Sequence, residues 1–130
     1  MNKSDYIEYW KITAQQDWVA VGHLFDSGDY LQSLFFANLV LEKLLKAHWV
    51  RDNIDNVPPK IHRLTYLLSH TALVLASNDV QTLDDMDLYQ LGSRYPDYNF
   101  KILTLCTQSH TEALLQKVLQ LKDDLVNRLP

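Results

Sequence analysis

The chain has 130 residues, 47% hydrophobic and 22% charged, which suits one globular domain and hardly two. Twelve Lys plus Arg against 16 Asp plus Glu leave a net charge of -4, so no global electropositive field is present to drive non-specific nucleic-acid binding. Three Gly and four Pro are too few turn formers for an all-β fold, and the single cysteine, Cys106, excludes an internal disulfide framework and a multi-cysteine metal site.

The predicted fold is all-α, an up-and-down antiparallel bundle of three long and two short helices in a single domain over 1–130. Ser4 is placed to cap a first helix whose inward stripe is Trp10, Ala14, Trp18, Val21, Leu24 and Phe25. Gly28 ends it and Asp29 can cap the next, which makes a hairpin of two long helices. The second helix, about Tyr30 to Asp52, is apolar in nearly every direction, with Leu34, Phe35, Phe36, Leu39, Val40, Leu41, Leu44, Leu45 and Trp49 around its axis. Such a helix is either the centre of a bundle or partly covered by a second subunit. An uncovered patch at Phe35, Phe36, Leu39 and Trp49 is poorly tolerated by a monomer, and a homodimer is the expectation.

Pro58 and Pro59 make the one clear loop. A shorter helix is expected from about Ile61 to Leu75, with Leu64, Leu67, Leu68, Thr71 and Val74 inward and Ser77-Asn-Asp79 breaking it. Leu83, Met86, Leu88 and Leu91 then read as a short acidic helix closed by Gly92 and Pro96. The last helix, about Asn99 to Arg128, has a heptad-type seam of Leu103, Thr107, Thr111, Leu114, Val118, Leu121 and Leu125.

Common nucleotide cradles and zinc motifs are absent, and no two of the five histidines form an i, i+4 pair, so neither a cofactor nor a metal is expected. No apolar run approaches the roughly 20 residues that span a bilayer, and the N-terminus lacks the apolar core of a signal peptide. A cytoplasmic location without a membrane partner is the expectation. Asp17 falls within the apolar stripe of the first helix and needs a partner or a route to water. The second helix offers Asn38, Glu42 and Lys46 at i, i+4, i+8 as a polar row on a greasy surface. This row serves either a structural ion-pair network that fixes register or a polar cavity lined by both helices. Lys43, Lys46, Arg51, Lys60 and Arg63 fall within 21 positions and could meet phosphates or simply form a solvated face diluted by Glu42, Asp52 and Asp55.

The motifs taken in order resemble the HEPN domain family, helical domains found beside minimal nucleotidyltransferases. The resemblance rests on Trp10, Ala14 and Asp17, on Gly28-Asp-Tyr30, and on Phe36-Ala-Asn-Leu-Val-Leu-Glu-Lys-Leu-Leu-Lys-Ala47 with its Glu-Lys-x-x-Lys-Ala core. It continues in Pro59-Lys-Ile-His62 and Ser93-Arg-Tyr-Pro-Asp97. It implies a helical homodimer acting with a nucleotidyltransferase partner in a toxin–antitoxin-like, two-component system. The nuclease branch of the family carries Arg, four to six residues, then His. After Arg94 the corresponding positions hold Asn99, Phe100 and Lys101, so the signature fails and no imidazole stands there for proton transfer.

The expected function is therefore a non-catalytic subunit that binds an ATP-like nucleotide or docks a nucleotidyltransferase, through Asp17, Glu42, Lys43, Lys46, His62 and Arg94. Lys46 and Arg94 would meet phosphate, and Asp17 and Glu42 would orient them. Tyr98 is a candidate for modification, because some relatives carry a nucleotidylated tyrosine near that turn. The alternatives are a divergent metal-independent RNase toxin with His62 as a substitute imidazole, and a plain helical dimerisation module.

Overall fold

The computed structural model describes residues 1–94 and 101–130, with the backbone alone for 91–94. Every regular element among the described residues is helical. In order these are α1 (Lys3–Asp26), α2 (Tyr30–Asp52), α3 (Leu64–Ser69), α4 (Ser77–Arg94), α5 (Lys101–Leu105) and α6 (Gln108–Asn127). None of these helices is long and apolar enough to cross a membrane.

The α1–α2 hairpin forms as the sequence predicts. Asn2, rather than Ser4, caps α1: its side chain accepts from the Asp5 N–H at 2.9 Å, and the Asp5 carboxylate accepts from the Asn2 N–H at 3.0 Å. This reciprocal pairing satisfies two donors, where a lone serine cap would satisfy one. Gly28, at φ +80°, reverses the chain in the left-handed region that a side chain strains.

α2 is the central helix. It packs against α1, α3, α4 and α6, and Leu34, Val40, Leu41, Leu44, Leu45 and Val50 are buried. Phe35, Phe36, Leu39 and Trp49 are only half-buried, but none is among the large exposed apolar side chains. Helices of the same chain thus meet most of its apolarity, and these four side chains keep part of their surface open.

The later elements depart from expectation at their ends. α3 occupies only Leu64–Ser69, because Arg63 is extended and the Asp87 carboxylate of α4 accepts from the Leu64 N–H at 2.9 Å, fixing the start. Its far end closes at His70, and Val74 points outward at 83% exposure instead of inward. Ser77 to Asp79 open α4 rather than break the chain. Within α4, Leu83, Met86 and Tyr89 face the core while Leu88 is exposed. The single last helix is two. Thr107 is extended and its hydroxyl accepts from the His110 N–H at 3.2 Å, so it starts α6 afresh. The seam holds from Thr111 through Leu114, Val118, Leu121 and Leu125, all buried, but Leu103 lies outside it at 51% exposure.

One polar residue inside this core resists protonation. His48 is fully buried, and its Nε2–H donates to the Leu125 carbonyl at 2.8 Å, which leaves Nδ1 buried without a partner. Burial holds its pKa below the ordinary histidine value of 6.5, opposed by the Leu125 hydrogen bond. A protonated ring would carry a charge and an unpaired N–H into the core. The folded state therefore binds this proton less readily than the unfolded one, and the His48 contribution is complete above about pH 6.5. Thermal melts from pH 8 down to pH 5 should show stability falling with pH, with a shallower fall in His48→Gln.

Candidate functional site

The hairpin places the predicted polar residues on facing sides of α1 and α2, but in two separate groups. In the first, Asp17 of α1 meets Lys43 of α2, Oδ2 to Nζ, at 2.7 Å. The contact is close but misaligned for a hydrogen bond, and the two side chains are 17% and 23% exposed. Asp17 thus finds its partner on the expected helix, but the partner is Lys43 and not Asn38, Glu42 or Lys46.

The second group centres on Glu42, whose side chain is only 7% exposed. Oε2 accepts from Lys46 Nζ one turn along at 3.3 Å, and Oε1 accepts from His62 Nδ1 at 3.1 Å. An ionised carboxylate only accepts, so His62 carries a proton on Nδ1. His62 lies in the chain before α3 and reaches back to α2 across Pro58 and Pro59. The Lys46 ammonium is nearly enclosed and sits 5.5 Å from the centre of the Trp10 ring, where the π face supports the cation. Asn38 belongs to neither group. Its amide donates to the Met86 carbonyl of α4 at 2.8 Å.

Each charge of these groups has an opposite charge beside it. Of the wider basic cluster, Lys43 and Lys46 are paired, and Arg51 binds Asp52 and the Arg128 carbonyl. Lys46 is enclosed beside Glu42, whereas His62 is 41% exposed, and Lys60 and Arg63 of the same cluster are exposed with no ion pair among the described residues. Glu42, Lys46 and His62 therefore fix the register of α2 against α1 and the Pro58–Pro59 loop. Arg94 ends α4, but its side chain lies outside the described residues, as does Tyr98.

The largest described cavity was not expected from the sequence. It holds about 480 Å3 between α4, α5 and α6. Leu88, Leu105, Ala113 and Leu114 give apolar walls, Asp84 and Asp85 stand on α4, and His110 and Lys117 on α6. The Tyr89 hydroxyl and His110 Nε2 are 2.8 Å apart, within hydrogen-bond distance. Burial, then the neighbouring Cys106 and Asp85, pushes the Tyr89 phenol up to about 12, so it stays protonated and can donate. The one sequence signal was a tyrosine in register with Leu83 and Met86, a polar tip on an apolar stripe. Among the described residues no group of three His, Cys, Asp or Glu is placed to hold a metal.

A family model for the HEPN domain matches residues 7–129. The chain belongs to the HEPN domain family. Its fold also matches the crystal structure of an archaeal HEPN homologue at 18% sequence identity, with a TM-score of 0.71, covering 95% of this chain and 98% of that one. No curated protein matches the chain significantly. In this HEPN domain the Glu-Lys-x-x-Lys-Ala run carries ion pairs within and across the hairpin. Glu42 and Lys46 neutralise each other inside the bundle, and Lys43 reaches α1.

That reading separates the two groups energetically. Glu42→Ala leaves an enclosed Lys46 without its counter-charge and should cost about 3 to 5 kcal/mol, whereas Glu42→Leu with Lys46→Met should recover most of the loss. Asp17→Ala, at the wetter pair, should change stability by no more than about 1 kcal/mol. Urea denaturation measures all three, and equal costs for Glu42→Ala and Asp17→Ala would contradict the division.

Proposed function

We propose that this HEPN domain is a non-catalytic nucleotide-binding subunit, partnered by a separate minimal nucleotidyltransferase in a toxin–antitoxin-like pair, with its ligand in the α4–α6 cavity. One observation carries the reading: a cavity of about 480 Å3 in which apolar walls converge on the Tyr89–His110 pair. That volume lies within the roughly 300 to 1,000 Å3 of small-molecule sites. Leu88, Leu105 and Leu114 suit the faces of a base. Asp84 and Asp85 can accept from ribose hydroxyls or an exocyclic amine, and Lys117 can meet phosphate. The sequence-predicted set of Asp17, Glu42, Lys43, Lys46 and His62 supports the same function only as the scaffold behind it.

Calorimetry with ATP and AMP tests this. Binding should be measurable for at least one of them and weaken tenfold or more in Tyr89→Phe with Lys117→Ala, the loss expected for one charge-assisted and one neutral hydrogen bond. The melting temperature of that variant serves as the folding control. Absence of heat with every nucleotide, in the presence and absence of a partner, would overturn the assignment.

A second reading, metal-independent RNA cleavage, is favoured by the position of His110. It stands on α6 in a cavity walled by α4, whose last residue is Arg94, although it falls outside the spacing of the nuclease signature. Incubation with total RNA should leave it intact. Cleavage lost in both His110→Ala and Arg94→Ala would favour the nuclease instead.

A further inference from the structure

A second groove lies on the other flank of α6, between α1 and α6, with a volume of about 220 Å3. Trp18, Val21 and Phe25 of α1 and Leu115 and Leu119 of α6 give it apolar walls, and the exposed Asp26 and Glu112 complete them. Neither carboxylate is in an ion pair among the described residues. The space is smaller than the roughly 300 Å3 at the lower end of small-molecule sites, but it suits the anchoring side chains of a helix laid along two others.

Gly22 lines the same groove inside α1. A glycine in a helix interior is destabilising relative to alanine. Among the described residues nothing asks for it: Gly22 is not a positive-φ glycine, and a Cβ built there meets nothing within 4 Å. Its effect is to keep the α1 wall low, where another backbone can approach closely. The charge selects the visitor. Asp26 and Glu112 give the groove an acidic edge, and a helix carrying Lys or Arg beside an apolar stripe would match both its charge and its walls.

We propose that the α1–α6 groove docks a basic amphipathic helix of a partner protein, with its apolar stripe against Trp18, Phe25, Leu115 and Leu119 and its cations on Asp26 and Glu112. The surface is separate from the α4–α6 cavity, and the proposal stands whether or not that cavity takes a nucleotide.

The test uses the full chain and a fluorescein-labelled helical peptide of Leu on one face and Lys on the other, read by anisotropy. A peptide with Glu for Lys and a scrambled Leu/Lys peptide are the controls. The Leu/Lys helix should bind, the Glu version should not, and the scrambled one should bind at least tenfold more weakly. Gly22→Leu, which enters open space, should weaken binding tenfold or more. Asp26→Lys with Glu112→Lys should do the same and flatten the salt dependence. Gly22→Ala should raise the melting temperature by about 2 to 5 °C, showing that the fold itself does not need the glycine. No binding, or binding indifferent to Gly22→Leu and to charge reversal, would overturn the proposal. Self-association to twice 15.2 kDa that Gly22→Leu abolishes would replace the partner helix with a second copy.

Discussion

Burial of α2 against four other helices is the constraint from which the remaining architecture follows, but apolar burial is non-directional and would accept many registers. What selects one is a set of polar groups on α2, each tied to a different neighbour. Ser33 donates to the Val21 carbonyl of α1 at 2.9 Å, and Asn38 donates to the Met86 carbonyl of α4. Glu42 accepts from His62 ahead of α3, and His48 donates to the Leu125 carbonyl of α6. A slip of any helix by one turn would leave a buried donor or acceptor unmade, at about 1 to 3 kcal/mol each. The greasy surface supplies the driving force, and the polar inclusions supply uniqueness.

The same economy explains why the most recognisable sequence motif is not the most open site. Glu42, Lys43 and Lys46 sit close together, and family resemblance directs attention to them. Yet each is matched within the hairpin or by His62, and a matched, enclosed charge has little left to offer a ligand. Chemistry with spare capacity lies where helices diverge. α4 and α6 part around Tyr89 and His110, and α1 and α6 part around Gly22.

The sequence carried the hairpin, the loop at Pro58 and Pro59, the centrality of α2 and the need of Asp17 for an α2 partner, because each is set by local periodicity, turn chemistry or an out-of-place charge. It misled at positions decided by distant residues. The start of α3 depends on Asp87, 23 residues on, and no local pattern announces such a cap. Thr107 fits the heptad of the last helix as a small inward residue, but its hydroxyl bonds the backbone and ends the run instead. The cavity needed two residues from different helices, Tyr89 and His110, to be seen together, and their separation of 21 positions hides the pairing.

At the end of the hairpin away from Gly28, the Lys3 ammonium donates to the carbonyls of Val50 at 2.6 Å and Asn53 at 2.7 Å. Val50 lies in the last turn of α2 and Asn53 is its C-cap, where unfilled carbonyls and the negative pole of the helix favour a cation. The two helices are therefore joined at both ends, covalently by the turn and electrostatically by one side chain. They behave less like a zipper with a loose tab than like a closed loop. Fraying of α1 from its first residues must first release that ammonium, so peeling of the outer helix from the central one has no easy starting edge.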